Sequence, residues 1–273
     1  MDQLDRVVEV AGVPIRYSVT GDGPITIVLT HGFRAHHLWW AAVQPLLVAK
    51  YRVVQLDISG SGDSGHRDEY GIVTWGQEVI AVMDDAGVDR ALLVGHSLGG
   101  TSAVMAATQS PERAIGVILM DTFIEGEGRF RPIAAAGSAP VRNYASREEG
   151  ESRFRLMPTQ EDVDPAIIAR IAAYGIKQTD AGWTWKFDQE VVPVIDEELF
   201  NASIAGLKVP FHYVHAGASA VVKPEVVPFL LSFAPEGSEY TLVPEANHHV
   251  PLSHPEICAQ VIDTYATLWA ARA

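Results

Sequence analysis

Short apolar runs recur along the chain between turn signals and stretches of helical spacing. Ile25-Thr26-Ile27-Val28-Leu29, Val53-Val54-Gln55-Leu56, Ala91-Leu92-Leu93-Val94 and Val117-Ile118-Leu119-Met120 show almost no polar alternation. A strand reads this way when both of its faces are buried. Strands are therefore predicted over residues 25–30, 53–57, 91–95, 115–121, 209–215 and 239–243, after an opening hairpin of 7–10 and 15–19. Helices are predicted between them. Residues 74–86 place Trp75, Val79, Ile80, Val82 and Met83 at near-helical spacing, and Gly87 stops the pattern. Residues 37–48 read as a helix, and 255–270 as a closing helix that begins with Pro-Glu. Such alternation implies an α/β fold, a mostly parallel sheet flanked by helices on both faces. Sites in these sheets lie beyond the carboxyl ends of the strands.

Residues 122–207 break the rhythm. They hold Phe130-Arg131-Pro132-Ile133, a polar piece, and then a helical pattern over 166–174. The expected organisation is a core of 1–121 and 208–273, with 122–207 inserted after the sixth strand as a mainly helical cap. A cap excludes water and shapes a pocket. Trp183 and Trp185 are candidates to line that pocket, and equally candidates for the core of the cap itself.

Composition narrows the function classes. The chain has 273 residues, enough to bury a large core. Its 20 basic and 34 acidic residues give a formal charge of −14, which argues against nucleic acid or an anionic membrane surface as partner. A single cysteine, Cys258, excludes an internal disulfide and fits a reducing compartment. The first residues lack the basic and apolar regions of a secretory signal, and no apolar run is long enough to span a bilayer. A cytoplasmic location is expected. The oligomeric state stays open, a homodimer included. No phosphate loop, dinucleotide fingerprint or metal-ligand spacing is visible, so neither cofactor nor metal is expected. The side chains of the adjacent His248 and His249 are expected to diverge.

The candidate chemistry centres on Gly95-His96-Ser97-Leu98-Gly99, followed by Gly100. The motif sits after the apolar run 91–94 and opens the small-residue stretch 101–107. Strand, tight turn and helix are the context in which G-x-S-x-G forms a nucleophile elbow. The same residues also suit a tight turn whose serine only caps a helix. A serine hydroxyl needs a base within hydrogen-bond reach. His248, His249 and His254 all lie near the last strand.

Gly95 to Gly100 resembles the elbow of the α/β-hydrolase family, and three further segments match in order. They are His31-Gly32-Phe33, Asp57-Ile58-Ser59-Gly60-Ser61-Gly62-Asp63-Ser64 and Asn247-His248-His249-Val250-Pro251-Leu252-Ser253-His254-Pro255-Glu256. The resemblance covers nearly the whole chain. Many relatives carry Arg where this chain has Ser59. The resemblance implies that the catalytic histidine stands seven residues before the proline that opens the last helix, which selects His248 against Pro255. It implies an oxyanion hole from the backbone N–H groups of Phe33 and Leu98, with His31 bracing the loop. Many relatives place the acid after the seventh strand, where this chain has Ser219. The family also uses the end of the sixth strand, as in haloalkane dehalogenases and cofactor-free ring-cleaving dioxygenases. Asp121 stands there, with Glu125 as the next candidate.

The implied function is a serine hydrolase, carboxylesterase-like, that uses Ser97, His248 and Asp121 on a small ester or related acyl or C–C bond substrate through an acyl-enzyme. His36, Trp183 and Trp185 are expected around the substrate. Two alternatives remain. One is a cofactor-independent dioxygenase of an N-heteroaromatic substrate with a His248–Asp121 base. The other is a non-catalytic small-molecule receptor.

Overall fold

The computed structural model describes residues 3–124 and 141–272. The chain opens with strands β1 (Arg6–Val10), β2 (Val13–Thr20) and β3 (Thr26–Thr30). A 3₁₀ turn at His37–Trp40 and the single-turn helix α1 (Gln44–Leu47) lead to β4 (Arg52–Leu56). Helix α2 (Ile72–Asp85), β5 (Ala91–His96), α3 (Gly99–Gln109) and β6 (Ala114–Met120) follow. The expected helix over 37–48 is thus split in two. Pro45 is the cause, because its ring fits only the first turn of a helix and forces a new start there.

Between β6 and the next core strand lie α4 (Arg147–Ser152), α5 (Pro165–Tyr174), the hairpin β7 (Ile176–Thr179) and β8 (Gly182–Trp185), and α6 (Glu197–Ala205). The hairpin was not expected. Its second strand sets Trp183 and Trp185 on either side of Thr184, and Gly182 takes φ 112° at the turn, a conformation only glycine adopts without strain. The core then resumes with β9 (Phe211–Ala216), α7 (Val226–Leu231), β10 (Glu239–Val243), α8 (Val250–Ser253) and α9 (Pro255–Ala270).

The large sheet has the order β1-β2-β4-β3-β5-β6-β9-β10. β2 pairs antiparallel with both β1 and β4, and the remaining pairs are parallel. Alternate residues of the central strands enter two cores. Leu93, Val117 and Leu119 pack with α2 and α3, while Leu92, Val94, Ile118 and Met120 pack with α1 and α9. Cys258 is a buried member of the second core. Among the described residues no helix is long and apolar enough to cross a membrane.

Candidate active site

Strand register brings the candidate residues into one row. Thr30 pairs with Gly95, His96 with Met120, and Met120 with Val214, so β3, β5, β6 and β9 end side by side. The loop 31–33, the elbow, Asp121 and the turn after β9 all leave the sheet from that edge. Ser97 sits at φ 52° and Asp121 at φ 48°, both in the left-handed region that non-glycine residues seldom occupy. Such strain persists only where surroundings enforce it. Here the Ser97 amide donates to the Met120 carbonyl at 3.0 Å, and the Thr122 hydroxyl donates to the Ser97 carbonyl at 3.0 Å. Gly95 and Gly99 have no room for a Cβ. A methyl group on the first would strike the backbone of Gly99 and Gly100, and one on the second the carbonyls of Thr30 and His31.

Ser97 Oγ lies 3.0 Å from His248 Nε2, and His248 Nδ1 lies 2.8 Å from Asp121 Oδ2. The carboxylate fixes the tautomer: Nδ1–H donates to Asp121, which leaves Nε2 free to accept from the serine. Asp121 is fully buried. Burial pushes its carboxyl up, but the adjacent His215 and His248 and the Ser219 hydroxyl outweigh that and hold it at about 2. Its Oδ1 accepts from the Ala216 amide at 3.1 Å, and its Oδ2 accepts from Ser219 Oγ at 2.6 Å as well as from His248. Sequence reasoning missed this use of Ser219. The residue at the family's usual acid position holds the displaced acid in place. His215, on β9, places Nδ1 3.6 Å from Asp121 Oδ1 and was also missed. Glu125 lies outside the described residues.

The backbone N–H groups of Phe33 and Leu98 have no acceptor among the described residues. Both residues border a cavity of about 350 Å³ together with Ser97, His248, Trp39, Phe123, Ile195 and Phe200. His31 donates from Nδ1 to the Gly32 carbonyl at 2.9 Å and accepts at Nε2 from the Ile58 amide at 3.2 Å, which ties the loop to the end of β4.

Three expected substrate residues lie elsewhere. The His36 ring bonds the Ile171 carbonyl at 3.1 Å and packs against Tyr174, away from Ser97. Trp183 lies under the Arg147 guanidinium, 5.9 Å from its centre, and its backbone pairs with Tyr144. Trp185 donates to the Tyr144 hydroxyl at 3.2 Å and stacks on Phe187. None of the three borders the cavity. The hairpin uses its tryptophans for its own packing.

The expectation that His248 and His249 diverge is also overturned. Their ring centroids are 5.1 Å apart, and with His96 they bring one nitrogen each within 4.8 Å of one another. A metal would have to displace existing bonds. Both His248 nitrogens are already engaged, by Asp121 and Ser97, and His249 accepts from Trp39 Nε1 at 3.3 Å and donates to the Pro158 carbonyl at 3.2 Å. Burial lowers His249 to about 3, with the neighbouring His248 adding to the effect. Only His96 Nδ1 has no partner.

A family model described as the Alpha/beta hydrolase family matches residues 27–261. The dihydrolipoyllysine-residue acetyltransferase component of the acetoin cleaving system of Cupriavidus necator is 35% identical over 166 residues, covering 59% of this chain and 41% of that protein. The 2-hydroxy-6-oxononadienedioate/2-hydroxy-6-oxononatrienedioate hydrolase of Cupriavidus pinatubonensis is 33% identical over 148 residues, 50% of each chain. The chain thus spans about half the length of the curated relatives it matches or less. The solved structure of E-2-(acetamidomethylene)succinate hydrolase superposes with a TM-score of 0.79 at 18% identity, covering 95% of this chain and 97% of that one.

Proposed function

The chain belongs to the Alpha/beta hydrolase family, and from that premise we propose that it is a serine hydrolase of a small ester or a related acyl or activated C–C substrate. The hydrogen-bonded relay from Ser97 Oγ through His248 to Asp121 carries this reading. In the first half-reaction Ser97 Oγ attacks the substrate carbonyl while His248 Nε2 takes its proton. The new charge on the carbonyl oxygen is met by the amides of Phe33 and Leu98. His248 Nε2 returns the proton to the leaving group, and an acyl-Ser97 ester forms. A water then repeats the sequence in reverse order and releases the acid. Asp121 stays ionised and balances the imidazolium. The described residues 141–207 serve as the cap over the cavity, with α6 supplying one wall through Phe200. The cavity of about 350 Å³ suits a small molecule.

The position of the acid at the end of β6 keeps one second reading in view, a cofactor-free dioxygenase with a His248–Asp121 base. Oxygen dependence separates the two. Short p-nitrophenyl esters are expected to be cleaved at equal rates in air and under argon, and Ser97→Ala to remove most turnover, up to ~10⁶-fold in kcat. An oxygen-requiring reaction that Ser97→Ala slows only mildly would establish the dioxygenase instead.

A further inference from the structure

The hydrogen-bonding groups of the cavity are unevenly matched. Among the described residues its side-chain donors are all engaged within the protein. Trp39 Nε1 donates to His249, Thr101 Oγ1 to the Leu98 carbonyl at 2.7 Å, and Thr122 Oγ1 to the Ser97 carbonyl. The N–H of His248 goes to Asp121 and that of His249 to the Pro158 carbonyl. Two residues of the same walls each carry a buried acceptor that has no partner among the described residues. One is Oε1 of Glu197, buried and without a partner. The other is Nδ1 of His96, also buried and without a partner. His96 Nε2 is the protonated nitrogen because it donates to the His248 carbonyl at 2.8 Å, so Nδ1 presents a lone pair.

Glu197 is not needed for the helix it opens. Asp196 already caps α6, its Oδ1 accepting from the Leu199 amide at 2.9 Å. The lining it shares includes the apolar Ile195, Phe200 and Phe33. Among the described residues no lysine or arginine borders the cavity. Arg34, next to Phe33, sits outside it, its guanidinium between the Phe33 and Phe187 rings at 5.0 and 5.2 Å. A buried carboxylate oxygen with no donor is costly, and a cation bound beside the carboxylate offsets that cost.

We propose that Glu197 selects the substrate, and that this substrate is an ester carrying an ammonium group, or an equivalent cationic N–H donor, on an otherwise apolar acyl chain. The inference rests on the serine-hydrolase reading and adds its substrate class. It sets this chain apart from the Cupriavidus pinatubonensis relative, whose named substrates are dioates. Two carboxylates would meet a carboxylate in this cavity and no cation among the described residues. A charge-assisted interaction between an ammonium group and the Glu197 carboxylate holds the acyl chain in the cavity that Ser97 also lines.

The test compares p-nitrophenyl esters of one chain length that end in an ammonium, a methyl or a carboxylate group. For the wild-type protein kcat/KM is expected to be about tenfold or more higher for the ammonium ester than for the methyl ester, and lowest for the carboxylate. Glu197→Gln is expected to bring the ammonium-to-methyl ratio close to unity, and Glu197→Lys to favour the carboxylate. The ratio within each variant is the readout, so a general loss of activity does not mimic the effect. The net charge of −14 attracts cations whatever residue 197 is, and an ammonium preference that survives Glu197→Gln overturns the assignment. Hydrolysis of the methyl ester with no ammonium preference overturns it too, while leaving the hydrolase reading intact. If none of the three esters is cleaved, both fail.

Discussion

Asp121 Oδ2 accepts hydrogen bonds from two side chains, His248 Nδ1 at 2.8 Å and Ser219 Oγ at 2.6 Å. The first bond sets the tautomer of the base and the second fixes the carboxylate. Asp121→Asn keeps the size of the side chain but offers an amide N–H or a neutral oxygen where a charge is needed. It is expected to lower kcat by about 10⁴-fold with the fold retained, the loss that follows when the base is held in the wrong tautomer. Ser219→Ala leaves the His248 bond in place and is expected to cost far less. Steady-state kinetics with circular dichroism as a folding control reads both, and a fully active Asp121→Asn protein would exclude Asp121 from the mechanism. At this scale the sequence singles out Ser97, His248 and Asp121, because motif spacing and strand-end position are local properties. Ser219, His215 and Glu197 act through neighbours about a hundred residues away in the chain or across a cavity, and no local pattern marks them.

Elements were legible in proportion to how much their own sequence decides them. The strands β3, β5 and β6 are short and apolar throughout, so burial on two faces is written in each one. α9 carries its own start signal in Pro255-Glu256 and its own apolar stripe through Cys258, Val261 and Ile262. The span 37–48 misled because its apolar content suits a helix while Pro45 divides it. The β7–β8 hairpin was hidden for a different reason. Its strands are four residues each, and tertiary packing of Trp185 against Phe154, Phe187 and Tyr144 stabilises them more than any periodicity. The same packing keeps Trp185 out of the cavity. Which face of a short hairpin meets a neighbour depends on where the rest of the chain goes.

The molecule as a whole buries several histidines in neutral form, and this sets its response to acid. Burial lowers His36 to about 3 and His249 to about 3, against 6.5 for a free histidine, and lowers His31 and His96 as well. The unfolded chain therefore takes up more protons than the folded one below about pH 6.5, so stability falls as pH drops, by up to roughly 1.4 kcal/mol per pH unit for each such group. Asp121, held at about 2, and Asp57, held below its usual range by His37 despite its burial, add losses of the same sign below about pH 4. Denaturant midpoints measured from pH 7.5 down to 4.5 are expected to decrease steadily, and a midpoint that stays level or rises would contradict the neutral burial of these rings.

If His248 and Asp121 make Ser97 a nucleophile, its hydroxyl reacts covalently with an active-site-directed phosphonate. The protein is treated with a fluorophosphonate, and the site and extent of labelling are read by intact-mass and peptide mass spectrometry at neutral pH. One covalent phosphonyl group per chain is expected, located on Ser97, with labelling slowed strongly in His248→Ala and absent in Ser97→Ala. A wild-type protein that stays unlabelled, or one that carries its label on a residue other than Ser97, would contradict this role of Ser97.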